Sequence, residues 1–417
     1  MKPISFIIPS RNNLRYLKQA YESIREHQSA DHEICIADDA SIDGTAEQVL
    51  VWMKRDKNIK LHINKGPDRL GHTILYDTLI NDYATHDRVM IFHADMILTP
   101  NSDKEIDKYL ERGKVVSLTR IEPPLHPDGP EKILMDFGIE PEEFKKEELL
   151  KFVEDIQSEN SDSIKYGPLA LNRDTSEGIF APWAIMKEDW DFIGGHDPIF
   201  APQSKEDSDI FNRFHLAGYT FIQVWQGFVY HMTCRGSRFK DGAIRNPAGQ
   251  VFMIGRESDE WLKQNQKSTR EFIRKWGHFV KHDEHMKPIV PPKFSVGFVV
   301  ENCNTRMLEM LEPWCDNIYS DFVGHKGFGA NRYIEEEQTS FDLKKRIHSD
   351  HFNPTDGVVV RFDASKLTQD NFKIIENLPE ILHDSGELGI SQIEIFNITI
   401  KSLATSEQEL IQGDWGL

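Results

Sequence analysis

The sequence predicts an α/β protein with a mostly parallel, Rossmann-like sheet, followed by a smaller α/β domain. Three observations predict it. Between Ile4 and Met96, short apolar runs alternate with stretches of helical apolar spacing. One of those runs, Val89–Met96, carries four apolar residues straight into His93-Ala94-Asp95, as expected of a strand buried on both faces and ending in an acid. The alternation then restarts after a proline-bearing stretch, His282–Pro292. At 417 residues the chain exceeds one ordinary core. Two domains are expected, over residues 1–285 and 293–417.

Taken in order, Ile4–Pro9 reads as a buried strand and Ser10-Arg11-Asn12-Asn13 as a polar turn. Leu14, Leu17, Tyr21 and Ile24 recur at helical spacing. Ile34–Ala37 is a second strand, ending in Asp38-Asp39. A turn over Ala40–Thr45 leads to a helix, with Thr45 and Gln48 at capping-box spacing. Ile59–Ile63 is a third strand, and Leu70-Gly71 opens a helix with Ile74, Leu75, Leu79 and Ile80 inward. Val89–Met96 follows as the fourth strand. Further on, Glu122–Pro130 reads as loop, Glu142–Ser158 as a helix, and Ser158–Arg173 as a polar, mobile segment. Gly178–Met186 is strand-like, Trp190–Phe200 a glycine-broken turn, and Glu206–Gly218 a helix with an acidic first turn. Phe221–Trp225 and Val229–His231 are short strands, and Ser258–Trp276 is a helix. Beyond the linker come strands at Ser295–Val300, Gly357–Phe362 and Gln392–Ile400, and helices at Thr305–Trp314 and Asn371–His383.

The acids fall in an ordered way. Asp38-Asp39 and Asp95 end parallel strands, so they line the sheet edge where open α/β sheets bind ligands. Glu206-Asp207-Ser208-Asp209 opens a helix just after Gly194-Gly195-His196-Asp197, and His231 ends a late strand. A nucleotide-sugar site needs such parts. One carboxylate accepts hydrogen bonds from base or ribose, hard oxygen ligands with an imidazole hold a divalent cation, and a separate carboxylate deprotonates an acceptor hydroxyl. Plainer readings stand beside these. Asp38-Asp39 could cap a turn, Asp95 could be an ordinary strand-end acid, and Glu206–Asp209 is a good helix start without chemistry. His231 could be a structural histidine. Arg235 and Arg238 suit either a bidentate diphosphate clamp or plain surface charge. Trp183 and Trp190 fit a core better than a sugar platform.

The ordered set resembles the family-two glycosyltransferases, with their GT-A fold, over roughly residues 3–280. The residues that carry it are Ile7–Asn12, Ala37–Thr45, His93-Ala94-Asp95, Gly194–Asp197, Glu206–Asp209 and Val229-Tyr230-His231. The resemblance implies an inverting enzyme that moves a sugar from a nucleotide-diphosphate donor, expected to be a UDP-sugar, to an acceptor hydroxyl. It implies that Pro9, Asp38 and Asp39 hold the nucleoside, with Ser10, Arg11, Asn12 and Gly71 in the same set. His93, Ala94, Gly195, Asp197 and Glu206, with Arg235 and Arg238, would complete the donor site. Asp95 would be the metal-binding acid of the family's DXD motif, His231 would complete the metal or pyrophosphate site, and Asp207 would be the catalytic base. Two departures stand out. His93 replaces the first acid of that motif, and Ile74-Leu75-Tyr76-Asp77 stands where the family carries an arginine-asparagine pair. A softer His93 ligand favours manganese over magnesium.

Two rival functions are carried alongside. A sugar nucleotidyltransferase usually opens with a glycine-rich phosphate loop, which Ser10–Asn13 lacks. A glycan-binding or scaffolding protein on a decayed transferase fold has only the His93 substitution in its favour. The formal net charge of −19 opposes broad binding to nucleic acid or an anionic membrane, and leaves room for a local basic groove. The acceptor is therefore open among a glycan, a lipid-linked sugar, a protein and a nucleic-acid base. The N-terminus starts as a strand without a signal-peptide pattern, and no apolar stretch approaches the roughly 20 residues of a membrane span. The four cysteines show no paired spacing. These features predict a cytoplasmic protein. The C-terminal domain carries no recognised motif and could bind the acceptor, make a homo-oligomer contact or brace the catalytic domain.

Overall fold

The computed structural model describes residues 1–158, 174–233, 243–252, 257–324, 328–350 and 353–412. It divides into two compact units, one mainly Met1–Gln264 with His282–Pro288, the other Asn265–Lys281 with Ile289–Ile411.

The first unit begins with β1 (Ser5–Ser10), α1 (Leu14–His27), β2 (Glu33–Asp39), α2 (Thr45–Met53), β3 (Ile59–Asn64), α3 (His72–Thr78) and β4 (Arg88–Ile91). It continues with β5 (Met96–Leu98), α4 (Ser102–Tyr109), β6 (Lys114–Glu122), β7 (Lys132–Leu134), α5 (Lys146–Ser158), β8 (Thr175–Ser176) and β9 (Trp183–Met186). It closes with α6 (Lys187–Ile193), α7 (Glu206–Leu216), β10 (Thr220–His231), β11 (Ile244–Arg245) and β12 (Val251–Phe252), before α8 (Asp259–Trp276). The main sheet runs β3-β2-β1-β4-β9-β6-β10-β5, with β7 beside β6 and β8 beside β10. Strands β1 to β4 are mutually parallel, and β1, β2 and β4 carry the near-continuous burial expected of such strands. The predicted mostly parallel α/β architecture is what the chain forms. The exceptions are β9, antiparallel to β4 and β6, and β5 and β8, both antiparallel to β10.

Several sequence expectations change. Val89–Met96 is not one strand. β4 stops at Ile91, His93-Ala94-Asp95 forms the turn, and β5 leaves in a new direction to pair with the end of β10. Apolar residues on both sides of His93-Ala94-Asp95 conceal that corner, because both strands are buried. Phe221–Trp225 and Val229–His231 are one strand, β10, with a register shift between Val224 and Phe228. Thr45 makes no capping box; its hydroxyl donates to Asp43 Oδ1 at 2.6 Å, and Gly44 stands at the cap. Trp190 lies inside α6 rather than in a turn, and Trp183 and Trp190 are core residues.

The second unit adds β13 (Val296–Glu301), α9 (Thr305–Leu311), β14 (Asn317–Ser320), α10 (Asp321–Gly324), α11 (Phe328–Glu336), α12 (Leu343–Arg346), β15 (Ile347–Ser349) and β16 (Val358–Asp363). α13 (Gln369–Glu376), α14 (Leu378–Ser385), β17 (Gly389–Ile393) and β18 (Phe396–Ile400) complete it. Its sheet runs β15-β14-β13-β16-β18-β17, with the first four strands parallel and β18 antiparallel to both neighbours. The expected single helix over Asn371–His383 is two helices meeting at Asn377, where Pro379 enters the first turn of the second. The single strand expected over Gln392–Ile400 is a hairpin. Among the described residues no helix is long and apolar enough to cross a membrane.

Candidate active site

Parallel pairing puts Ser10 opposite Asp38 and Asp39 opposite Asn64, at the C-terminal ends of β1, β2 and β3. These two adjacent acids do different work. Asp39 is saturated: Oδ1 accepts from Leu70 N–H at 2.8 Å and from the Asn64 amide at 2.7 Å, and Oδ2 accepts from Gly71 N–H at 2.9 Å. It ties the loop before α3 to the sheet edge. Asp38 accepts from Ser41, yet its Oδ1 is buried without a hydrogen-bond partner, as is the Ser10 hydroxyl. Burial pushes the Asp38 carboxyl above its usual range, with the Ser41 bonds opposing. Two loops are latched beside this pair, since Asn12 N–H donates to Ser41 Oγ (3.0 Å) and Ile42 N–H donates to Asn12 Oδ1 (2.9 Å). Asn12 and Ala40 hold positive φ there. Pro9 precedes Ser10 in β1, half-buried, and Arg11 lies beside the latch, close enough for its charge to act on Arg69.

Gly71 has φ +81° and abuts Pro202; a Cβ on it would lie 2.0 Å from the Pro202 carbonyl oxygen. Gly71→Ala should therefore destabilise the fold by about 1–3 kcal/mol or more, read as a lower Tm, because overpacking and a positive φ act together. An unchanged Tm would show that this loop shifts freely.

The next cluster follows from register. β5 pairs Met96 with His231 of β10, which brings Asp95 beside His231; β10 pairs Tyr230 with Ile121, which brings Glu122 beside it too. His93, Asp95 and His231 offer ligand atoms that all lie within 4.8 Å of one another. His231 Nε2 is 3.4 Å from Asp95 Oδ1, and Nδ1 is 2.7 Å from Glu122 Oε1. Burial drives the His93 ring down to about 3, helped by the nearby His231 charge. His231 goes the other way, to about 9: burial opposes the charged ring, but Asp95 and Glu122 outweigh it. Two imidazoles and a carboxylate are a donor set that fits a divalent first-row cation. Ala94 is buried in the turn between the two donors.

The third cluster is built on α7. Glu206 Oε1 lies 2.7 Å from His72 Nε2, while its Oε2 is buried without a hydrogen-bond partner. Burial opposes ionisation of Glu206, but His72 holds the carboxyl below its usual range. Burial pushes Asp207 up to about 6, and the charge of Glu206 adds to the effect. The buried Tyr76 hydroxyl is raised by its burial and by the fields of Asp207, Glu206 and Asp95, so one side chain senses both clusters. The turn before α7 is held from inside. Arg213, fully buried, donates to the carbonyls of Ile193 (3.0 Å) and Gly195 (2.6 Å) and to Asp209 Oδ2 (2.9 Å). Gly195 packs against Asp77, whose carboxylate accepts from His196 N–H at 3.0 Å and pairs with His196 Nδ1 at 2.9 Å. Asp197 caps the short turn that follows, accepting from Ile199 N–H at 3.0 Å.

Thus Ser10 and Asp38 meet at one point of the edge, His93, Asp95 and His231 at another, and Glu206 and Asp207 share α7 with the Tyr76 link. Gly71, Gly195, Asp197 and Asp39 shape the loops between them. Arg235 and Arg238 lie outside the described residues. Sequence reasoning missed His72, Tyr76, Asp77 and Glu122. Glu122 is another acid at the end of a parallel strand, so the logic that found Asp95 would have found it had β6 been recognised.

Residues 5–173 match the model of the family described as Glycosyl transferase family 2. The family read from the motifs is thus found over that stretch. A curated relative, abequosyltransferase RfbV of Salmonella typhimurium, is 35% identical over 115 residues, which is 26% of this chain and 32% of that protein. The chain therefore spans about a third of the length of that relative. Among solved structures, GalNAc-T7 with UDP, GalNAc and Mn2+ aligns at 13% identity and a TM-score of 0.41, covering 55% of this chain and 44% of the other. The mannosyltransferase PcManGT of Pyrobaculum calidifontis, with GDP-Man and Mn2+, aligns at 17% and 0.38, covering 56% and 58%.

Proposed function

We propose that this chain, whose residues 5–173 match glycosyl transferase family 2, transfers a sugar from a nucleotide-diphosphate donor, a UDP-sugar, to an acceptor hydroxyl with inversion. The observation that carries the reading is the placement of half-buried Asp207 at the start of α7, its carboxyl raised by desolvation and by Glu206, with the Tyr76 hydroxyl in the fields of both Asp207 and Asp95. In this reading residues 1–285 are the catalytic domain on a GT-A plan, and residues 293–417 form an accessory domain that binds the acceptor or a second copy. The chain works in the cytoplasm.

Ser10 and Asp38 receive the nucleoside. Their unpartnered buried atoms give a hydroxyl and a carboxylate oxygen that a base or ribose can satisfy. His93, Asp95 and His231 would hold a divalent cation, Mn2+ in preference to Mg2+. When bound, that cation neutralises the departing diphosphate. Asp207 accepts the proton of the acceptor hydroxyl as the oxygen attacks the anomeric carbon from the far side. A single displacement of this kind inverts the anomeric centre. Glu206, paired with His72, keeps a negative charge beside Asp207 and so keeps the base strong.

The pH profile follows. Asp207 must be ionised to accept a proton, and its folded pKa lies near 6 rather than in the ordinary carboxylate range. The reading predicts that kcat/KM is flat above that point and falls about tenfold per pH unit below it. The same steep acid limb in a chain whose Asp207 has been replaced would assign it to another group. Calorimetry of the full chain with Mn2+ against UDP-, GDP-, CDP- and dTDP-sugars tests the donor assignment. Tightest binding of a UDP-sugar supports it, and tighter binding of another nucleotide overturns that choice.

A further inference from the structure

We infer that Glu122 is a positioning residue that aims His231 Nε2 toward Asp95 and His93, so that the three present a two-imidazole, one-carboxylate face that selects transition-metal ions over Mg2+. The inference rests on the metal-assisted reading above and adds to it a residue outside every motif quoted from the sequence.

Register makes the contact. The pairing of Tyr230 with Ile121 leaves Glu122 and His231 as the next neighbours along two parallel strands, both ending at the same edge. Glu122 is 2% exposed. Its Oε1 lies 2.7 Å from His231 Nδ1 and 3.2 Å from Arg120 Nε, and its Oε2 lies 3.6 Å from Lys132 Nζ. Two cations therefore keep the carboxylate ionised inside the protein, which a lone buried acid could not sustain. An ionised carboxylate at Nδ1 requires the proton on that nitrogen. With Nδ1 engaged by Glu122, Nε2 is the ring nitrogen left to face Asp95, 3.4 Å away, and a cation that displaces its proton would be shared by the two atoms. A carboxylate behind a ligating histidine fixes the ring's orientation and raises its basicity. If Glu122 served only to pair Arg120 and Lys132, nothing would call for the short bond to His231.

The face also sets the ion class. Mg2+ takes oxygen ligands and keeps most of its water, whereas imidazole favours later first-row ions. With His93 and His231 supplying two of three protein donors, affinity should rise from Mg2+ to Mn2+ to Co2+, following the usual order for such ligands.

The test uses the full metal-free chain, with Mn2+ binding read by loss of the free-ion electron paramagnetic resonance signal, and Mg2+ and Co2+ read by competition. Glu122→Gln should weaken Mn2+ about 10–100-fold. Glu122→Asp keeps a negative charge at the end of β6 but shortens the arm that reaches His231, so the same weakening is expected without loss of the buried charge. Spin-echo spectra of the native chain with Mn2+ should show two imidazole nitrogen couplings, falling to one in His93→Gln. Mn2+ affinity within about threefold of native in Glu122→Asp, or a single coupling in the native chain, overturns the inference. A native chain that binds no Mn2+ overturns the metal-assisted reading itself, which is a separate outcome.

Discussion

Replacing Asp207 by Asn should cut the rate of sugar transfer by about 10²–10⁴ while leaving donor affinity within about twofold. The amide matches the carboxylate in shape, so packing at the start of α7 is preserved. It cannot accept a proton from the attacking hydroxyl. Removing the acid also removes a half-buried charge beside Glu206, whose field helps hold Asp207 up to about 6. The variant should therefore be at least as stable as the native chain near neutral pH, where the native Asp207 is ionised at some cost. The sign is clear: a carboxyl whose folded pKa is raised favours the folded state at low pH and loses that advantage as pH rises through the folded value. Stability measured against pH should fall between the usual carboxylate range and about pH 6 in the native chain, and this fall should be smaller in Asp207→Asn. Transfer at the native rate in the variant would assign the base elsewhere.

Asp95→Ala should abolish Mn2+-dependent donor binding. Asp95 supplies the one carboxylate of the His93, Asp95 and His231 group. Its loss should exceed the roughly 10–100-fold typical of an outer partner such as Glu122. The backbone corner should survive, because the hydrogen bond that fixes it runs from Met232 N–H to the Asp95 main-chain carbonyl at 3.1 Å. Calorimetry with and without Mn2+ separates the outcomes. A variant that binds donor no better with Mn2+ than without it matches the account. Binding equal to the native chain under both conditions would mean that His93 has replaced metal chemistry at this edge rather than modified it.

What could be read in the sequence, and what could not, has a physical reason. β1, β2 and β4 were legible because they are buried on both faces and so appear as unbroken apolar runs. β6 was not, because Ser117 and Thr119 sit inside it; both are fully buried, and Thr119 donates to the Val224 carbonyl at 2.7 Å. The corner at His93–Asp95 was read through because apolar residues stand on both sides of it, so its two polar residues passed for the end of a single strand rather than a change of direction. Asp95, Asp207 and His231 could be singled out by type and order. Their partners could not. His72 meets Glu206 across 134 positions and Glu122 meets His231 across 109, contacts that only strand register and loop path create. The two adjacent acids at Asp38-Asp39 read alike in sequence, yet one is filled by Leu70, Gly71 and Asn64 and the other retains an open oxygen.

Release of nucleoside diphosphate from a panel of nucleotide-diphosphate sugars, with the full chain and Mn2+, tests the central claim most directly. The account predicts release from one donor class, dependent on Mn2+ and lost in Asp95→Ala. Donor binding without release from any member of the panel, with acceptors of every proposed class supplied, would contradict it.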